Sequence, residues 1–346
     1  MMKKSFYISF LALGCLAIIT VLYISSRNKL EQKNGFNRIY SDNPLKIRDT
    51  LAIKYSNYYI SGMSEHYIFL GNYSAPFHTV MLSKNLRDTV HINIPISLKD
   101  SIKSSGFKVQ IDSPRIAIIE GKTPHYVSNA IPTGQNTKIN LNRKKFDAFK
   151  VLSDNSLLIR FFKLQERVLQ KITFTPNYKE SKIFKLQKNK DSNFELDGFL
   201  SYNKTTAQIF YTYFYSNNFI CLDTNLNLLY AAHTIDTNTT AKIKVSEITY
   251  EKSKEVLMSA PPLIVNKRSC ANGKWFYLNS GLASDQENIK DLQRYSPIDV
   301  YRTIDGKYSH SLKIPNYLNE GLSNFAVSGK LLVALYKHHI ITYQIN

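Results

Sequence analysis

Apolar and polar positions divide the chain into two regimes. Phe6 to Ile24 runs 19 residues without a charge, behind the short basic head Met1–Lys4. A helix rising 1.5 Å per residue needs about 20 apolar residues to span a bilayer core of ~30 Å. The pattern therefore predicts a membrane anchor over residues 1–26, either an uncleaved anchor or a signal. A cleaved signal has a shorter apolar stretch and a small-x-small site; the run here ends in Tyr23-Ile24-Ser25-Ser26-Arg27, a poor site. Leu11-Ala12-Leu13-Gly14-Cys15 hints at a lipobox, but the apolar run continues past the cysteine. Residues 27–44 are polar and read as a tether. Beyond them the pattern changes to short apolar or alternating runs separated by polar turns, the signature of strands rather than helices.

Six of these runs share a form, a polar turn followed by a nearly continuous apolar strand. They are Tyr67-Ile68-Phe69-Leu70-Gly71, Arg115-Ile116-Ala117-Ile118-Ile119, Ser156-Leu157-Leu158-Ile159-Arg160, Gln208-Ile209-Phe210-Tyr211, Trp275-Phe276-Tyr277-Leu278 and Leu331-Leu332-Val333-Ala334-Leu335. Measured between Ile68, Ile118, Leu158, Ile209, Phe276 and Leu332, the spacings are 50, 40, 51, 67 and 56 residues. Each spacing holds a four-stranded antiparallel unit, and the longest has room for an insertion. Several units close with a second hairpin: Met81–Ile92, Asn218–Tyr230 and Val300–Leu312, the last turning on Asp305-Gly306.

This rhythm over residues 45–346 resembles the six-bladed β-propellers of the TolB-like and NHL-like kind, in their membrane-anchored bacterial envelope form. The resemblance implies an all-β fold of four-stranded blades. It rests on rhythm, because neither a WD signature nor a kelch pattern is present. The last unit, Asn324–Ile345, holds only about three strands; Asp49–Tyr55 is expected to supply the fourth and close the ring. A sandwich, or two stacked β domains, is the competing architecture.

Composition supports strands: 23 Tyr and 19 Phe stand against one Trp, with 13 Gly and 11 Pro. Three cysteines exclude a disulfide scaffold, although a bond between Cys221 and Cys270 stays open. The chain carries 45 Lys and Arg against 26 Asp and Glu, a net charge of +19. That suits an anionic partner, but the lysines are dispersed and no basic run interleaves with aromatics as in RNA-binding strands, so nucleic acid is not expected. Around the apolar segment, Arg27, Lys29, Lys33 and Arg38 outweigh Lys3 and Lys4, which by the positive-inside rule argues for an external N-terminus. A four-residue head before a large folded domain argues the other way. The expectation adopted is N-inside: a single-pass protein of the inner (cytoplasmic) membrane with its domain in the periplasm or outside the cell.

Catalytic signatures are missing. The sequence has no GxSxG, Walker, GxGxxG or HExxH motif. The eight histidines are scattered, and His338-His339 point to opposite sides of one strand, so neither metal nor cofactor is expected. Two loops stand out because both combine Gly, Pro, His and Tyr: Gly71–His78 and Gly121–Tyr126. Asn72, Tyr73, Phe77, His78, Lys122, His125 and Tyr126 are the candidate binding residues. In a propeller such loops share one face of the disc. The expected function is a binding or scaffold module for an envelope protein or glycan. The alternative is a propeller enzyme (a hydrolase, lyase or redox-partner subunit) with a metal or acid/base site in its channel. The oligomeric state is left open.

Overall fold

Strands that are apolar at every position, not at alternate ones, must be buried on both faces, and they set the plan of this fold. The computed structural model describes the backbone of all residues except 1, 31–32, 43–44, 95–106, 123–124, 131–135, 142–143, 165, 175–177, 189–192, 251–252 and 346. The side chains of 2–6, 8–9, 25–30, 125–130, 136–140, 250, 253–255 and 289 are also outside the description.

A helix, α1 (Met2–Leu30), comes first, then the lone strand β1 (Lys46–Ala52). Sheet I comprises β2 (Tyr58–Met63), β3 (Tyr67–Asn72), β4 (His78–Ser83) and β5 (Thr89–Asn93). Sheet II follows with β6 (Lys108–Asp112), β7 (Arg115–Glu120), β8 (His125–Ala130) and β9 (Asn136–Asn140). Sheet III holds β10 (Ala148–Ser153), β11 (Ser156–Lys163), β12 (Glu166–Thr173) and β13 (Lys179–Lys185). Sheet IV holds β14 (Gly198–Asn203), β15 (Gln208–Tyr213), β16 (Asn218–Asp223) and β17 (Leu228–His233). A separate hairpin, β18 (Val245–Tyr250) and β19 (Ser253–Met258), fills the longest of the repeat spacings. Sheet V comprises β20 (Asn266–Asn272), β21 (Trp275–Ser280), β22 (Tyr295–Arg302) and β23 (Tyr308–Pro315). Sheet VI contains β24 (Asn324–Ser328), β25 (Leu331–Leu335), β26 (His339–Gln344) and, at its outer edge, β1.

The fold is an all-β propeller of four-stranded antiparallel blades. The second strand of each sheet is one of the six apolar runs, and its alternate residues face opposite neighbours. On β7, Ile116 and Ile118 pack toward sheet I with Phe69, while Ala117 and Ile119 pack toward sheet III with Leu157 and Ile159. On β15, Ile209 and Tyr211 face sheet III and Phe210 faces sheet V, its ring stacked on Phe276 at 4.5 Å. Leu332 and Ala334 meet sheet V, and Leu331, Val333 and Leu335 meet Ile68 and Leu70 of sheet I. Apolar cores thus join each sheet to the next around a closed ring.

Closure occurs as the sequence reading anticipates. β1 pairs antiparallel with β26, with Thr50 opposite Ile341 and Leu51 opposite Ile340. The first and last strands of the propeller therefore complete one sheet, and the outer edge of β26 is covered.

The segment read as a tether is docked in its described part. Phe36 is buried against Val265 and Leu282. Tyr40 bridges to Ser311 in parallel, with Ser311 N donating to Ile39 O at 2.8 Å. Ahead of it, the side chains described on α1, Tyr7 and residues 10–24, include large apolar groups 52–72% exposed. Among the described residues no helix is long and apolar enough to cross a membrane. The anchor predicted over 1–26 includes residues outside that set.

Candidate ligand site at the mouth of the central channel

Successive antiparallel strands reverse direction, so the loops joining second to third strands lie on the same face as the connections between sheets. Hydrogen bonds show this at sheet I: Tyr73 N donates to Asn57 O at 3.1 Å, and Asn72 Nδ2 donates to Ser56 O at 3.1 Å. The first strands β2, β6, β10, β14, β20 and β24 lie innermost and surround the axis. Their packing is close. A Cβ on Gly62 of β2 would sit 2.0 Å from Ile111 O of β6, so only glycine permits that approach. Side chains tie the ring together as well. Val151 N donates to Gln110 Oε1 at 3.0 Å, linking sheets II and III, and the Ser201 and Ser269 hydroxyls lie 2.6 Å apart between IV and V.

The inner strands carry cations. Lys108 and Arg268, from sheets II and V, stand at the end of the channel that shares a face with the sheet I loop. Desolvation lowers the Lys108 pKa, and the Arg268 charge lowers it further. Burial likewise lowers Lys267. Deeper in, burial lowers Lys150, opposed by the nearby Cys270. Cys270 is a free thiol that burial pushes up to about 12, so at neutral pH it is protonated and a poor nucleophile. None of Lys108, Lys150, Lys267 and Arg268 has a carboxylate within ion-pair distance among the described residues. The far end of the channel differs, because Lys204 Nζ bridges from sheet IV to Asp112 of sheet II at 2.8 Å.

Of the sequence-derived candidates, Tyr73 belongs to this mouth. Its ring lies 4.5 Å from Tyr59, and Lys108 Nζ sits 5.5 Å above it. Tyr59 is buried, and its hydroxyl accepts a hydrogen bond from Val109 N at 2.6 Å, which links the pair to β6. Asn72 is buried and shapes the turn: its Oδ1 accepts from Ser74 N at 2.8 Å and Ala75 N at 3.2 Å. Phe77 packs on Phe107 at 5.6 Å in the core between sheets I and II. His78 stacks on His91 at 5.0 Å, away from the axis. Lys122 is exposed, and its backbone N donates to Glu120 Oε1 at 2.7 Å. The side chains of His125 and Tyr126 lie outside the described residues. Of these residues, Asn72 shapes its turn and Phe77 packs in a core. The cations of the inner strands are not among the sequence-derived candidates. One signal was available, a basic or polar residue alternating with apolar ones in the strand before each apolar run, as in Lys108-Val109-Gln110-Ile111 and Phe149-Lys150-Val151.

No cluster of three or more His, Cys, Asp or Glu side chains placed to hold a metal occurs among the described residues. No family model matches the chain, and no curated protein matches it. Solved structures do resemble it. A catalytically inactive virginiamycin B lyase from Staphylococcus aureus with quinupristin covers 87% of this chain and 100% of its own at 8% identity, with a TM-score of 0.49. The Pan2 WD40 domain of Neurospora crassa covers 89% of this chain and 97% of its own at 10% identity, with a TM-score of 0.46. YCF48 bound to D1 peptide covers 89% and 98% at 10% identity, with a TM-score of 0.44. The assignment to the propeller fold rests on strand order and packing.

Proposed function

We propose that the six sheets are the blades of a six-bladed propeller working as a binding module, and that the channel mouth receives an anionic group of an envelope protein or glycan. The observation that carries this reading is the neighbouring pair of inner-strand cations, Lys108 and Arg268, without a carboxylate partner among the described residues. Crowding like charges is unfavourable in isolation, and an incoming carboxylate or sulfate relieves it while gaining charge-assisted hydrogen bonds. Tyr73 adds a flat aromatic surface beside them, suited to a sugar ring or a side chain. In this reading α1 anchors the chain N-inside in the inner membrane and the propeller lies in the periplasm; the apolar side chains exposed along Phe10–Ile24 support it.

The test uses the full chain in nanodiscs, with dextran sulfate and an oligoglutamate peptide as probes and neutral dextran as control. Lys108→Ala and Arg268→Ala are expected to weaken binding about tenfold each, in keeping with one charged hydrogen bond. Lys185→Ala, an exposed lysine on the outer strand β13, is expected to change little. Equal losses from all three would reduce the attraction to net charge and overturn the site. A C-terminal alkaline phosphatase fusion tests the membrane reading; an inactive fusion would overturn the orientation.

A further inference from the structure

A cavity of about 470 Å³ opens between sheets VI and I, away from the channel. It lies in the wedge between β1 and the outer half of sheet I. Blades diverge with distance from the axis, so outer wedges need large side chains to fill them. Between sheets IV and V that role falls to Phe219, Phe276, Tyr301, Tyr230 and Tyr308. Between VI and I the walls are Leu51, Ile53, Leu70, Val80 and Leu82, and the wedge is left partly unfilled. Its rim is polar and of one sign: Lys54, His78, His91 and Thr89 line it, with no Asp or Glu among the lining residues. His91 Nδ1 lies 3.0 Å from His78 Nε2, so one ring donates its N–H to the other and the pair is held in place.

We propose that this wedge is a second binding site, for a free carboxylic acid with an unbranched apolar tail. The volume falls in the ordinary range for small-molecule pockets, which are apolar with a few convergent polar groups. Leu70, Leu82 and Val80 would contact the tail. Lys54 and the imidazole pair would receive the carboxylate, the ammonium supplying charge and the ring N–H a hydrogen bond. The site is independent of the channel, and it exists because β1 comes from the N-terminal end of the propeller and brings a small side chain, Ala52, to the wedge.

The probe is a diazirine-bearing decanoate, photolysed on the full chain and mapped by peptide mass spectrometry. Saturable labelling is expected within residues 51–58 and 78–91, displaced by decanoate and at least about tenfold less well by decanol, which lacks the charge. Thr89→Trp, a substitution at an exposed rim position, is expected to abolish labelling of those peptides by filling the wedge. Lys54→Gln, also exposed, is expected to weaken decanoate about tenfold while leaving decanol unchanged. Labelling confined to α1, labelling unaffected by Thr89→Trp, or equal competition by decanol would each overturn the proposal. Loss of dextran sulfate binding in the channel variants has no bearing on it.

Discussion

Two clusters of charge in this molecule are built on opposite terms. At sheet V, Arg38 is fully buried and fully answered. Its Nε donates to Asp299 Oδ1 at 2.8 Å, Nη2 to Asp299 Oδ2 at 3.2 Å, Nη1 to Leu282 O at 3.1 Å and to Glu287 Oε2 at 2.5 Å. Glu287 in turn accepts from the hydroxyls of Tyr40 and Tyr295 and from Ser284 N. Ser311 Oγ donates to Asp299 Oδ1 at 2.6 Å. On the inner strands, Lys108, Lys267 and Arg268 are exposed and have no carboxylate partner among the described residues; Arg268 Nε donates to Ser323 O at 3.4 Å. A buried charge must be satisfied inside the fold and so helps hold it together, whereas an exposed charge is met by water and stays open to exchange partners. The first cluster fastens the N-terminal segment to the propeller, and the second carries the binding role proposed above.

The contrast is open to direct attack. Arg38→Ala leaves two carboxylates buried without their cation and should cost about 3–5 kcal/mol, read as a fall in the urea midpoint. The pH dependence of the same cluster comes next in size. Burial raises the Glu287 carboxyl, but hydrogen bonds from Tyr295, Tyr40 and Ser284 N, with the Arg38 charge, overcome this and hold it at about 2 against an ordinary 4.5. A depressed carboxylate contributes stability above its unfolded pKa and loses it as pH falls toward the folded one. About 3 kcal/mol should therefore drain away between roughly pH 4.5 and 2. Urea midpoints of the native chain and Glu287→Gln should converge over that window; a constant gap would refute the linkage.

Gly62→Ala probes the frame that holds Lys108. Its Cβ would meet the Ile111 carbonyl, forcing β2 and β6 apart at a cost of about 1–3 kcal/mol. The smallest effect carries the opposite sign. Lys108 has a lowered pKa, so its cationic form opposes folding at neutral pH, and that penalty fades as pH rises past its folded value. Lys108→Met should leave thermal stability unchanged or a few tenths of a kcal/mol higher, by relief of like-charge repulsion, while binding of the anionic probe falls. A loss of stability as large as that of Arg38→Ala would erase the distinction between the clusters.

Much of the fold was legible from local pattern. The six apolar runs are the second strands of the six sheets, Met81–Ile92, Asn218–Tyr230 and Val300–Leu312 lie in their outer hairpins, and Asp49–Ala52 lies in the strand that closes the last sheet. Of the candidate residues read from the sequence, Tyr73 lies beside Lys108 of the inner strands. Asn72 and Phe77 stood out in the sequence for residue type, yet one shapes a turn and the other fills a core. Arg38 looked like one more charge in a polar linker, because the carboxylates that bury it, Glu287 and Asp299, lie some 250 residues away.

Alternation and turn chemistry are properties of neighbouring residues, so the sequence by itself determined the strands, the repeat and the joining of both ends in one sheet. Which charges would be paired depended on the tertiary structure. The closed ring desolvates Lys108 and brings the Arg268 charge near it, and both lower the Lys108 pKa; it also lays Arg38 across Asp299 of β22 and Glu287 of the loop before it. Electrostatic energy depends on separation in space and on burial, and neither is written in the order of residues along the chain.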